Sequence, residues 1–186
     1  QKDQRIYLWE PFSCRYLGMY HTKRSIAKSI VGNKLLFIEQ NIDLGLTFSY
    51  QWAPADKLGW VRTATISNDG NQDITIELLD GLQNVMPAGV ERITQNTFST
   101  LVDGYKKTEQ VPQTSMVLLR MEAILVDRAD PSECLKCNTI YTLGLPQATY
   151  LTSSSQLDNF RLGKTIYEEN ASKGVRGAIF AHTTFT

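Results

Sequence analysis

The sequence is short of the residues that usually bind metals or react covalently. It has three cysteines, Cys14, Cys134 and Cys137, and two histidines that stand apart, His21 and His182. The cysteines of "CLKC" have the spacing of half a zinc site, but a tetrahedral site needs two further ligands. The sequence therefore predicts incidental thiols in a reducing compartment, which favours the cytoplasm, and no metal or other cofactor.

Net charge and long apolar runs are missing too. Nineteen basic residues balance nineteen acidic ones, so composition gives no support for electrostatic binding to nucleic acid or to an anionic membrane. The sequence shows no apolar run of membrane-spanning length and no signal peptide. We therefore expect neither nucleic acid nor a membrane among the partners of this chain.

Familiar catalytic motifs are also absent. Neither histidine lies in a nucleophile-elbow pattern, and the sequence has no glycine-rich phosphate loop. Carboxylate pairs for glycosidic chemistry meet in space rather than in sequence, so Asp56, Asp80 and Asp103 are available for that role. Acidic residues in turns are usually solvated, however, and the sequence predicts no catalytic residue.

Alternation of apolar and polar residues is the dominant pattern. Every second residue from Leu44 to Trp52 is apolar or aromatic, as expected of a half-buried antiparallel strand. Because strand-like runs follow one another without intervening helices, a parallel α/β sheet is disfavoured. We predict a single mainly β domain over residues 1–186, an antiparallel β-sandwich with one or two short helices. The other strand-like runs are 5–9, 15–20, 34–40, 59–67, 73–79, 115–128, 139–145, 148–154 and 176–185.

Local signals predict the connections. "NDGNQ" (68–72) lies between two strand-like runs and predicts a hairpin, because Asn and Gly tolerate positive φ. Residues 90–107 have the apolar spacing of one substantial helix, with Lys106 and Lys107 at its end complementing the helix dipole. Residues 154–163 predict a shorter helix with Ser at its N-cap and Gly at its end.

A cluster suited to sugar recognition lies around the turn at residues 53–59. Trp52 and Trp60 bracket this turn, which holds Asp56 and Lys57 and is followed by Arg62. Sugar rings stack their C–H faces on indole, and their hydroxyls need charged or amide partners. The alternative interpretation is that the two tryptophans pin the ends of a hairpin and the charges are ordinary surface residues.

The stretch "LDGLQNVMPAG" (79–89) breaks a strand pattern at Asp80-Gly81 and then presents two amides, Gln83 and Asn84. These amides could bind a polyol, or they could cap backbone groups left unpaired at a strand-to-helix corner. Local physics favours the structural corner. The full set of candidate carbohydrate-binding residues is Trp52, Asp56, Trp60, Arg62, Gln83 and Asn84.

Read in order, several segments resemble the N-terminal region of large bacterial cellobiose-phosphorylase-like proteins, from around residue 44 to the end of the chain. Such proteins are similar to inverting glycoside phosphorylases and related glycosyltransferases and glycosidases. The resemblance implies a galactose-mutarotase-like β-supersandwich, followed in the parent protein by a helical linker and an (α/α)6 barrel with the catalytic acid and the phosphate site. The segments are "GWVRTATISNDG" (59–70), "ITIELLDGLQNVMPAG" (74–89), "TFSTLVDGYKKTE" (97–109), "EAILVDRADPSE" (122–133), "SSSQLDNFRLG" (153–163) and "VRGAIF" (175–180).

The resemblance implies a non-catalytic accessory or carbohydrate-binding domain of a larger enzyme of carbohydrate metabolism. Because the chain begins at Gln1 and is too short to include a barrel, we expect an N-terminal fragment whose partners are a gluco-oligosaccharide and the downstream barrel. The alternatives are an autonomous carbohydrate-binding module and a small sugar epimerase, which would need positioned His and Glu groups. The chain is shorter than a complete supersandwich, and an unpaired sheet edge would favour a homodimer.

Overall fold

The computed structural model describes residues 5–57, 59–123, 125, 135–145 and 147–186. The chain divides into two compact units. The first unit consists of Gln1–Thr75 together with Thr186, and the second of Ile76–Phe185. Each unit is built mainly of antiparallel strands. No helix within the described ranges has both the length and the apolar character needed to cross a membrane.

The first unit contains a four-stranded antiparallel sheet whose strands follow chain order. The alternation predicted for residues 44–52 is confirmed, because Leu46 and Phe48 are buried and share one face. The two outer strands are paired on one side only within this sheet. The strands are β1 (Thr22–Lys28), β2 (Leu35–Asn41), β3 (Leu46–Ala55) and β4 (Gly59–Asn68).

The second unit is a β-sandwich made of two antiparallel sheets. Its core forms where Val117 and Leu119 of one sheet pack against Ile179 of the other. The predicted fold class, mainly β and antiparallel with stacked sheets, is therefore confirmed. One sheet contains, in spatial order, β10 (Ala171–Lys173), β6 (Lys106–Gln110), β7 (Met116–Met121) and β8 (Cys137–Tyr141), and the other contains β5 (Ile76–Val85), β11 (Gly177–Phe185) and β9 (Thr149–Leu151).

The helix predicted over residues 90–107 is wrong in its length. Two short helices, α1 (Arg92–Thr97) and α2 (Ser99–Gly104), occupy this region and are separated by Phe98, whose φ of −123° and ψ of 37° are not helical. Lys106 and Lys107 begin β6 instead of ending a helix. Pairing of β6 with β7 gives this segment a backbone ladder that outweighs its helical pattern.

A third short helix, α3 (Leu157–Arg161), falls within the predicted range 154–163. Gly163 follows it with a φ of +67°, so the predicted glycine end is confirmed. The predicted serine cap is wrong, because the N-cap residue is Gln156 and its side chain makes no capping hydrogen bond. Three short helices are thus described where one or two were expected.

The N-terminal runs at 5–9 and 15–20 do not form the predicted strands, because residues 6–20 are turns and irregular segments. An aromatic residue between the two runs, Phe12, packs on the sheet of the first unit instead. The ring of Phe12 lies edge-on to Phe37 and Tyr50, with centroid distances of 6.3 and 5.3 Å. Aromatic content alone therefore led to the wrong prediction here.

The hairpin predicted at "NDGNQ" is also wrong, since β4 pairs with β3 and β5 pairs with β11. The turn residues act locally. Asn68 Oδ1 accepts a hydrogen bond from the Gly70 N–H at 3.0 Å, and its Nδ2 donates to the Gln72 carbonyl at 2.7 Å. The Asp69 N–H donates to the Gly45 carbonyl at 2.8 Å, which ties this segment to the turn between β2 and β3.

The corner expected within residues 79–89 comes later than predicted. Strand β5 continues through Asp80 and Gly81 to Val85. Gly81 is required by a close approach of β11, because a Cβ atom there would lie 2.0 Å from the Ile179 carbonyl oxygen. Asn84, with a φ of +59°, is the extra residue of a bulge where the register with β11 shifts.

Replacing Gly81 with alanine should lower the free energy of unfolding by about 1–3 kcal/mol, because the added methyl group collides with the β11 backbone. Gly104→Ala is the matched control: a Cβ there meets nothing within 4 Å, and alanine favours the helix. Urea unfolding followed by circular dichroism measures both variants. Equal destabilisation of the two would contradict the close approach of β11 at position 81.

Candidate functional site

One face of the sheet in the first unit collects aromatic and charged side chains. Residues directly opposed in antiparallel strands lie on the same face, as do alternate residues along a strand. We call this surface the aromatic face. Its cross-strand rows are Arg24–Glu39–Phe48–Ile66, Phe37–Tyr50–Ala64, Leu35–Trp52–Arg62 and Pro54–Trp60.

Three of the sequence-predicted residues meet at the end of the aromatic face nearest the β3–β4 turn. Trp52 lies directly opposite Arg62, and Trp60 lies one row further along, opposite Pro54. The guanidinium carbon of Arg62 is 4.7 Å from the centroid of the Tyr50 ring, a cation–π contact. Trp60 is 68% exposed, so it does not pin the hairpin by burial and presents its ring to solvent.

The other three predicted residues lie elsewhere in the chain. Asp56 is exposed in the turn between β3 and β4, so four predicted residues belong to a single hairpin. Gln83 and Asn84 are exposed on β5, in the second unit, where Asn84 forms the bulge. The structure thus groups Trp52, Trp60 and Arg62 on one face with Asp56 at the turn, and places the two amides in the other unit.

Sequence reasoning missed a buried carboxylate at the other end of the aromatic face. Glu39 is 1% exposed and accepts hydrogen bonds from Trp9 Nε1 at 2.8 Å, from the Phe12 N–H at 2.7 Å and from Arg24 Nε at 2.6 Å. A buried charge is tolerated only when it is paired and hydrogen-bonded. The available signal was Glu39 itself, a charged residue on the same strand face as Phe37.

The cluster around Glu39 fixes the N-terminal segment on the sheet. Arg24 also donates from Nη2 to the Ser13 carbonyl at 2.8 Å, so the guanidinium and the carboxylate together hold residues 9–13. The hydrogen bond to Glu39 raises the pKa of Arg24, although burial acts in the opposite direction.

A cavity of about 250 Å³ lies beside this cluster. It belongs entirely to the first unit, and the N-terminal segment supplies more than half of its wall. The residues that matter most for its chemistry are Trp9, Tyr16, Tyr20, Thr22, Arg24 and Glu39.

Asp103, one of the carboxylates considered for glycosidic chemistry, is part of an ion pair. In the second unit, Asp103 accepts a hydrogen bond from Lys106 Nζ at 2.7 Å and one from Gln95 Nε2 at 3.1 Å. Burial raises the pKa of Asp103, but these hydrogen bonds and the nearby cations outweigh it, and the net shift is downward. A lowered pKa suits a structural ion pair rather than a general acid. Lys106, which is 3% exposed, thereby connects α1 and α2 to β6.

Among the described residues, each histidine lies beside one carboxylate. His21 Nδ1 lies 3.1 Å from Asp43 Oδ1 in the first unit and is largely exposed. His182 Nε2 lies 2.9 Å from Glu77 Oε1 in the second unit. In the described part of the chain, no three His, Cys, Asp or Glu side chains gather as a metal site; Cys134 of "CLKC" lies outside it.

Glu169 is the centre of a hydroxyl-rich cluster in the second unit. Its Oε1 accepts from Ser155 Oγ at 2.6 Å and from Gln156 Nε2 at 3.2 Å, and its Oε2 accepts from the Thr152 N–H at 3.2 Å. Burial raises the pKa of Glu169, but hydrogen bonds from Ser155, Ser153 and Gln156 outweigh burial and lower it overall. These contacts hold the end of β9 and the start of α3.

Acidification should therefore destabilise the protein partly through Glu169. A carboxylate with a lowered folded-state pKa contributes stability above its ordinary pKa of about 4.3, and that contribution is lost as the pH falls through the folded-state value. Glu169→Gln should flatten the decline of unfolding free energy between neutral pH and about pH 3. The exposed neighbour provides the control: Glu168→Gln should leave the slope unchanged. Identical slopes for native and Glu169→Gln protein would refute the assignment.

Replacing Glu39 with glutamine should lower the free energy of unfolding of the first unit by about 2 kcal/mol, because charged hydrogen bonds to a buried group are lost. All three tryptophans lie in this unit, so urea unfolding followed by tryptophan fluorescence measures it. Asp43→Asn, in the exposed pair with His21, should cost less. A loss from Glu39→Gln no larger than the Asp43→Asn loss would contradict the central role of Glu39.

Comparison with known proteins adds no relative. No protein-family model matches the chain, and no curated protein matches it either. The relation to cellobiose-phosphorylase-like proteins stays a prediction based on the segments quoted above.

Proposed function

We propose that this chain is a non-catalytic carbohydrate-binding module of a larger, glycoside-phosphorylase-like enzyme. The observation that carries the proposal is the exposed ring of Trp60 beside Trp52 and Arg62 on one sheet face. Exposed apolar surface rimmed by polar residues marks a binding surface, and here two indoles lie in adjacent rows beside Arg62 and Asp56.

The chemistry of this surface suits a sugar. An indole ring offers a flat apolar surface to the C–H face of a pyranose, and this contact needs no charge on the ligand. Arg62, in cation–π contact with Tyr50, carries a planar guanidinium whose donors favour directional hydrogen bonds to hydroxyls. Asp56 in the adjacent turn supplies carboxylate acceptors.

The accessory role is supported by the resemblance and by the ion pair of Asp103 with Lys106, which suits a structural carboxylate rather than a general acid. The bond-making groups are assigned to the downstream (α/α)6 barrel of the same polypeptide, and the present chain would help to hold the oligosaccharide. Chain 1–186 incubated with gluco-oligosaccharides and phosphate should release no sugar phosphate. Turnover by this chain would contradict the non-catalytic assignment.

Titration calorimetry with cellobiose and soluble β-glucan should detect binding by chain 1–186, and Trp60→Ala should weaken it about tenfold because the stacking surface is lost. Tyr167→Ala removes an aromatic ring of similar exposure in the second unit and should leave the affinity unchanged. Absence of heat at millimolar sugar, or equal losses in both variants, would overturn the proposed binding surface.

A further inference from the structure

We propose that the cavity beside Glu39 is a second binding site, which holds a single neutral sugar residue. Rows along the aromatic face place it at the end opposite Trp60, with Phe12 packed between the two on Phe48 and Tyr50. Its volume of about 250 Å³ is below the ~300–1,000 Å³ of pockets for drug-sized ligands, which suits one ring. The choice of a sugar over another small ring rests on the proposed function.

The cavity has both kinds of contact that a sugar ring needs. Trp9, Tyr16 and Tyr20 provide aromatic surface for C–H groups. The hydroxyls of Tyr16 and Thr22 make no hydrogen bond within the described residues, so both are available to a ligand. Hydroxyl groups both donate and accept, as the hydroxyls of a sugar do.

Charge at the cavity favours a neutral ligand. Arg24 and Glu39 form an ion pair at 2.6 Å, so the guanidinium is already neutralised. An anionic ligand would have to displace Glu39 from Arg24 and would leave a buried carboxylate unpaired, which is costly.

A buried amide next to the cavity wall supports a ligand that offers hydrogen-bond acceptors there. Asn41 lies directly opposite Thr22 and on the same strand face as Glu39. It is completely buried, and its Nδ2 has no hydrogen-bond partner among the described residues. Buried donors are nearly always paired. A hydroxyl bound near Thr22 would bring the missing acceptor into this row.

The chain contains three tryptophans, of which only Trp9 lines the cavity. The double variant Trp52→Phe/Trp60→Phe removes both indoles of the first binding surface and therefore leaves Trp9 as the sole indole. Titration of this variant with D-glucose, D-galactose and D-mannose should change the Trp9 emission saturably for at least one sugar. Inorganic phosphate, the charged comparison, should not.

In the same background, Thr22→Val and Tyr16→Phe should each weaken binding about two- to tenfold, the effect of one lost hydrogen bond. Thr63→Val changes an exposed threonine of β4 on the opposite sheet face and should have no effect. No emission change with any of the sugars, or an affinity unaffected by both cavity variants, would overturn the inference.

Nuclear magnetic resonance of the native protein tests the cavity site without depending on the folding of the double variant. The three indole N–H signals are assigned by comparing the single variants Trp52→Phe and Trp60→Phe with the native chain. A monosaccharide in the cavity should shift the Trp9 signal, and a Trp9 signal that never moves would contradict the site. The two proposals can fail separately. If Trp60→Ala abolishes the heat of oligosaccharide binding and the Trp9 signal of the native chain does not shift with any monosaccharide, the proposed function stands and only the cavity site is contradicted.

Discussion

A carboxylate taken out of water needs compensation, and in the first unit this requirement fixes the N-terminal segment on the aromatic face. Glu39 obtains hydrogen bonds from an indole, a backbone N–H and a guanidinium. Two of these donors belong to the N-terminal segment, so the segment must lie across the sheet for the charge to be stable. The cavity exists because the segment is held there, and Phe12 is positioned to cover Tyr50 by the same contacts.

The second unit depends on a different constraint, the close approach of β5 and β11. Gly81 and Gly177 both sit where a Cβ would collide with neighbouring atoms, and the bulge at Asn84 lies in the same pair of strands. Ile179 of β11 then reaches Val117 and Leu119 in the facing sheet. Tight backbone packing thus places the apolar layer of the sandwich, and its polar clusters around Asp103 and Glu169 fasten the helices to it.

The sequence pattern predicted the fold class well where period-two alternation was long, as in β3. It failed where residues act through distant partners. Lys106 looks like a helix end until the pairing of β6 with β7 is known. Gly81 looks like a strand breaker because nothing local reveals the carbonyl of Ile179 above it.

The same distinction applies to the candidate site. Trp52, Trp60, Asp56 and Arg62 could be grouped from the sequence because a hairpin brings sequence neighbours together; their role in binding stays a prediction. Glu39 was not, because Trp9, Phe12 and Arg24 approach it from separate segments. Gln83 and Asn84 stood out as polar residues, but the conformation of Asn84 is explained by the bulge in β5.

The hold of Glu39 on the N-terminal segment also constrains the order of assembly during synthesis. Residues 9–13 leave the ribosome well before β2 and β3 are available, and their docking surface is the sheet that follows them in the chain. Chains are made at roughly 5–20 residues per second, so this aromatic segment remains exposed for seconds. Trp9 and Phe12 can therefore reach their carboxylate partner only after β2 has been made.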